Sequence, residues 1–300
     1  MHKAQFITVS AAESGQKLLQ FLERRLTGDV PRSAIQRWIR KGQVRVDKGR
    51  KKPFDRIEAG QMVRIPPYTP GEENTVASTG NLIFAHEDDH ILAIAKPSNL
   101  AAHGGDKVED SVVGRLKSSF SDAAFHPTLA HRLDKDTSGL LLAAKDYETL
   151  RTLNDLFASG GVDKIYLAWV RGAWRERGTT LLTDKLEKRG APGSEKVHTG
   201  SGKHALAEVT PLIMHHKYSL VAVKLLTGRT HQIRVQLAAR NHPVVGDRKY
   251  GKGNERGAMR LHCYAMRVKE QTFSLAPPWT GKWETPPNSL REALMLLYED

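Results

Sequence analysis

The sequence predicts an α+β chain: a large body on a mixed, mostly antiparallel sheet, preceded by a small basic α/β module. Three observations carry this reading. Charge is uneven, because the first 70 of 300 residues hold 15 Lys+Arg against 6 Asp+Glu, while the rest hold 31 against 27. Pro66, Pro67 and Pro70 break the chain where neither a helix nor an inner strand can continue. Beyond that break, short β-like runs outnumber helical ones and do not alternate with them, which disfavours a doubly wound parallel sheet. The expected division is a module at 1–66, a linker at 67–80 and a body at 81–300.

In the module, Leu18, Leu19, Leu22 and Leu26 repeat at helical spacing, with Ser14 as the expected N-cap. A second helix runs from Pro31, suited to a first turn, to Lys41, and Gly42 stops it. Ile35, Trp38 and Ile39 form its apolar face; Arg32, Arg37, Arg40 and Lys41 lie off that stripe. Strands follow at Val44–Asp47 and Met62–Ile65, separated by a turn rich in Lys48, Arg50, Lys51 and Lys52. Such cations suit a phosphate backbone, whose counterions they release. The order of a basic helix, K-G-x-V-x-V from Lys41 and G-x-x-V-x-I from Gly60 resembles an S4 RNA-binding domain over residues 14–66.

In the body, strand-like runs stand at Leu82–Ala85, Ile91–Ala95, Ile165–Val170, His204–Val209, Ser219–Leu226 and Arg260–Met266. Helical patterns stand at Tyr147–Ala158, Thr230–Arg240 and Ser289–Leu297. The net charge of +13 calls for a polyanionic partner. A single cysteine, Cys263, excludes an internal disulfide and a multi-cysteine zinc site. No apolar run approaches the ~18 residues of a membrane span, and the N-terminus lacks an apolar signal core, so a cytoplasmic location is expected. P-loop, H-E-x-x-H and G-x-S-x-G motifs are absent. A calcium loop at Asp134 fails, because its twelfth position is Lys145, where a bidentate carboxylate is required.

The segment His131-Arg132-Leu133-Asp134-Lys135-Asp136-Thr137-Ser138-Gly139-Leu140 concentrates chemistry ahead of an apolar run. A polar loop feeding a buried strand holds a reactive side chain rigidly. Asp134 beside cations favours its charged form and can serve as nucleophile or base. The same residues also suit a turn in which Asp134 or Asp136 accepts from backbone amides. Thr227-Gly228-Arg229-Thr230-His231-Gln232-Ile233-Arg234 opens a helix, where Arg229 presents a fork of donors to an anion.

H-R-L-D-x-x-T-S-G-L from His131, K-x-Y-x-A-x-V-x-G from Lys164, T-G-R-T-H-Q-I-R from Thr227 and G-D-x-x-Y-G from Gly246 occur in that order. Lys96-Pro97 and His103 precede them. Together they resemble the RluA family of pseudouridine synthases over nearly the whole chain. The resemblance implies the pseudouridine synthase fold and isomerisation of specific uridines in RNA, large-subunit (23S) ribosomal RNA foremost, without cofactor or metal. By that resemblance Asp134 is the catalytic carboxylate, Tyr166 stacks on the target uracil, and Arg229 pairs with Asp134. Arg132 and His131 face the RNA, and Leu261 walls the base. Three positions depart from the family pattern: Asn99 where glycine is usual, Gln236 where histidine is usual, and Cys263-Tyr264 in place of small residues. A tRNA substrate and a binding-only assembly factor are the alternatives. Nothing in the sequence demands more than a monomer.

Overall fold

The structure, a computed structural model, describes residues 3–26, 30–69, 80–104, 110–191, 195–251 and 257–298. Most of the expected linker, residues 70–79, lies outside the described residues.

The N-terminal module contains β1 (Gln5–Thr8), α1 (Leu18–Arg25), α2 (Arg32–Arg40), β2 (Arg45–Val46) and β3 (Met62–Ile65). Its strands form an antiparallel sheet in the order β1-β3-β2. The leucine stripe of α1 packs with Ile35 and Ile39 of α2 against Val46, Val63 and Ile65 in a core of its own. Sequence periodicity anticipates both helices but not β1. Ser14 is not the cap of α1. The helix starts after Lys17, and the Ser14 hydroxyl donates to Glu58 Oε2 at 2.9 Å. The capping box sits earlier, where Ser10 and Glu13 close a short 3₁₀ turn.

The body contains β4 (Phe84–Glu87), β5 (Ile91–Lys96), α3 (Val112–Ser119), β6 (Thr128–Leu129), β7 (Ser138–Ala144), α4 (Tyr147–Ser159), β8 (Val162–Arg171), β9 (Thr180–Arg189), β10 (Lys196–Thr199), β11 (Lys203–Met214), β12 (Tyr218–Leu225), α5 (Gln232–Ala239), β13 (Leu261–Val268), β14 (Gln271–Ser274) and α6 (Pro287–Met295). Its strands form one sheet in the order β10-β9-β11-β12-β8-β13-β7-β5-β4, with β6 on β7 and β14 on β13. Among these pairings of described strands only β7 with β13 is parallel.

Both faces of β8 are covered, and the period of two splits its residues between two cores. Tyr166, Ala168 and Val170 join the larger core with α3, α4 and part of α5. Ile165, Leu167 and Trp169 join the second core with α6. The Tyr166 face is the one on which the motif loops converge. Among the described residues no helix is long and apolar enough to cross a membrane.

Candidate active site

Asp134 sits in the turn that feeds β7, closed by a hydrogen bond from Thr137 N to Asp134 O of 3.1 Å. The turn is held from outside. Lys96, at the end of β5 and almost fully buried, donates from Nζ to the carbonyls of Pro97, Leu100 and Lys135 at 2.9, 2.7 and 2.9 Å. Burial pushes its ammonium down to about 8. The Ser98 hydroxyl donates to Asp136 O at 2.7 Å, and Asn99 adopts φ 68, the left-handed conformation that asparagine tolerates in place of glycine.

The partner of Asp134 is Arg234, not Arg229. Arg234 Nη1 donates to Asp134 Oδ2 at 2.9 Å, and its Nε and Nη2 form a fork with Asp247 Oδ2 and Oδ1 at 2.7 and 2.9 Å. Asp247 is fully buried, and its Oδ1 also accepts from the backbone of Lys249 and Tyr250. Burial alone lowers an arginine, but Asp247 and then Asp134 outweigh it, so the guanidinium is raised above its ordinary value. Burial likewise acts against ionisation of Asp247, and Arg234 overrides it, holding that carboxyl below its ordinary value.

The helix starts at Gln232, and His231 turns the chain into it with φ 54. Arg229 therefore stays in the preceding loop, exposed, with Nε donating to His204 O at 2.9 Å. Arg234 falls within the first helical turn and points inward.

One cleft of about 150 Å³ collects the expected residues: Arg132, Asp134, Tyr166, Arg229 and Leu261 all line it. Tyr166 and Leu261 are buried and supply its apolar wall, while Arg132 is exposed at its side. Burial raises Tyr166 well above the ordinary tyrosine value, so it remains a neutral phenol. Its register partner across β8 and β13 is Cys263, which burial pushes up to about 12 and keeps as a thiol.

His131 is a second correction, for it does not line the cleft. Its Nε2 accepts from Leu142 N at 2.9 Å, and its ring lies 4.6 Å from that of Phe157. Burial and the neighbouring Lys164 push it down to about 3, so it is a neutral packing residue. Arg32, Arg37, Arg40 and Lys41 are all exposed on the N-terminal module, away from the cleft, with Arg32 paired to Glu23 at 2.8 Å.

Three residues of the site were not singled out by sequence although the quoted motifs contain them. Arg234 and His231 belong to the T-G-R-T-H-Q-I-R run, and Asp247 to G-D-x-x-Y-G. His231 Nε2 stands 3.7 Å from Asp134 Oδ2, with Nδ1 2.7 Å from the Tyr250 hydroxyl. The available signal was a second arginine closing the T-G-R-T-H-Q-I-R run, set between Ile233 and Val235 in the expected helix.

Residues 90–239 match the family model described as RNA pseudouridylate synthase, and residues 16–63 match the S4 domain. A Haemophilus influenzae protein named ribosomal large subunit pseudouridine synthase C is 37% identical over 278 residues, covering 88% of this chain and 86% of that protein. Its Salmonella typhimurium namesake is 38% identical over 314 residues, covering 97% and 96%. Among solved structures, human RNA pseudouridylate synthase domain containing 1 superposes with a TM-score of 0.60 at 24% identity, covering 71% of this chain and 94% of that one, a likeness of fold. With three of the ordered motifs lining one cleft, the fourth reaching it through Asp247 on Arg234, and relatives aligned along nearly its full length, the chain belongs to the RNA pseudouridylate synthase family and carries an S4 domain ahead of the catalytic body.

Proposed function

We propose that this chain converts specific uridines of large-subunit (23S) ribosomal RNA to pseudouridine, acting as a monomer in the cytoplasm. The observation that carries the reading is Asp134, fixed by Arg234 in a cleft whose wall is Tyr166 and Leu261. In this isomerisation the N1–C1′ bond breaks, the uracil turns, a C5–C1′ bond forms, the C5 hydrogen leaves as a proton and N1 takes one up. Atoms and electrons balance within the nucleotide, so the chemistry calls for positioned acids and bases alone.

Asp134 is the group assigned to the ribose. Arg234 and the buried Asp247 behind it fix its direction, as a bidentate ion pair fixes both partners. Tyr166 takes the base by stacking, with its phenol available beside C5. A base reached in this way has left its stack, and Arg132 at the cleft side faces the vacated strand. Arg229, exposed on the same rim, is assigned to a phosphate rather than to Asp134. Residues 1–66 grip RNA through Arg32, Arg37, Arg40 and Lys41, and residues 81–300 carry the chemistry.

The test is tritium release from large-subunit rRNA labelled at uridine C5, since forming C5–C1′ expels that hydrogen. Wild type should release tritium, and Asp134→Asn should fold and bind RNA without releasing it. Turnover by Asp134→Asn within tenfold of wild type would refute the role of Asp134. Release from tRNA but not rRNA would move the substrate.

A further inference from the structure

The antiparallel register of the N-terminal sheet sorts its side chains onto two faces. Ile7, Val63 and Val46 lie in one row and face the module core. The adjacent row on the opposite face runs Phe6, Arg64, Arg45, with Thr8 and Met62 paired beside it. That face is not covered: Phe6 is 62% exposed and Met62 49% exposed. Arg64 Nη1 donates to Gln43 O at 2.8 Å, which holds its guanidinium on the Arg45 side and leaves the Phe6 ring open. Two arginines facing each other across strands repel, and among the described residues neither is ion-paired with a carboxylate. The nearby Asp47 is engaged, with Oδ1 accepting from Met62 N at 2.9 Å.

We infer that this face is a second RNA contact, one that stacks an unpaired base on Phe6 and takes the adjoining phosphates with Arg64 and Arg45. An open aromatic ring beside guanidinium groups without carboxylate partners is the chemistry of single-strand binding: the ring accepts any base face, and the cations track the backbone. Adjacent strands stand ~4.8 Å apart, so Arg64 and Arg45 lie within one and two strand spacings of the ring, within reach of phosphates joined to the stacked nucleotide. A second copy of this chain is the poorer occupant, because packing the face on itself would bring four arginines together. Phe6 and Arg64 both fall outside the matched S4 segment of residues 16–63, so the contact adds to the surface that α2 presents. The function assigned is capture of a single-stranded stretch flanking the target, and it rests on the reading of this chain as an enzyme acting on RNA.

The test is fluorescence anisotropy of the full chain with a short labelled oligouridylate, comparing wild type with Phe6→Ala, Phe6→Trp and the double variant Arg45→Ala/Arg64→Ala. Phe6→Ala should weaken binding at least about fivefold, the lower end of what one stacked base is worth, and Phe6→Trp should retain it. The arginine variant should reduce the salt slope by roughly one to two. All variants should melt with wild type, since the residues are outside the core. A smaller loss for Phe6→Ala, or a loss that tryptophan does not recover, overturns the inference and hands the face to a protein partner. If wild type stacks the probe but releases no tritium from any RNA, the catalytic reading fails while this one stands.

Discussion

Arg234 is held between two carboxylates, and its two ion pairs differ in burial. Asp247 is fully buried and receives both prongs of the fork, whereas Asp134 opens onto the cleft. Truncating one member of a buried pair strands the other, which costs about 3–5 kcal/mol. Arg234→Gln should therefore lower stability by that order in urea melts and abolish isomerisation as Asp134 loses its anchor. Arg229→Gln removes an exposed side chain from a loop, so stability should stay within about 0.5 kcal/mol. Its effect should fall on KM for RNA, with kcat nearly kept. A variant pair behaving in the reverse order would return the Asp134 anchor to Arg229.

The parallel contact of β7 with β13 is where the Asp134 turn meets the cleft wall carried by Leu261. The two strands approach closely at Gly139, whose φ is 119 and where a Cβ would stand 2.3 Å from Cys263 O. Beside it the Ser138 hydroxyl meets His262 Nδ1 at 2.9 Å, while His262 Nε2 reaches Leu275 O at 2.8 Å. Since a carbonyl only accepts, Nε2 carries the proton and Nδ1 accepts from Ser138. The glycine of T-S-G is thus required twice, for its conformation and for its missing side chain. Gly139→Ala should cost about 2–5 kcal/mol from strain and overpacking together, read by thermal melting, with loss of activity. A cost below about 1 kcal/mol would show that the strands part easily and that the contact does not set the site.

Across the full chain, the module keeps a core of its own on one side of the proline break, and the body builds its cores on the other. They are also in contact: Arg24 of α1 lies 4.6 Å over the Phe125 ring and donates to the Thr128 hydroxyl at 2.6 Å. The S4 module is therefore seated on the catalytic body rather than merely tethered to it. Deleting residues 1–66 should leave a cooperatively folding body, because its cores are built from its own strands. RNA affinity should fall, and the salt slope should become shallower by about one for each phosphate that the module no longer neutralises. An unchanged slope would show that the module is not the phosphate-binding element.

Which segments matter, and which residue types they hold, was legible in the amino-acid order, because each motif is a local run with its own chemistry. Asp134, Arg132, Tyr166, Arg229 and Leu261 come from four separate stretches and line one cleft. Alternation and helical spacing located α1, α2, α4 and α5 to within a few residues, but β1, β9 and α3 went unread because their patterns are short or half-exposed. Which arginine holds Asp134 emerged only in three dimensions, since that pair spans 100 residues and depends on where α5 begins. A helix starting after His231 turns Arg234 inward and leaves Arg229 on the rim. Packing likewise turned His131 away from the cleft, to where Leu142 N and Phe157 claim its ring. Side-chain direction is set by contacts between distant elements, and no run of neighbours encodes it.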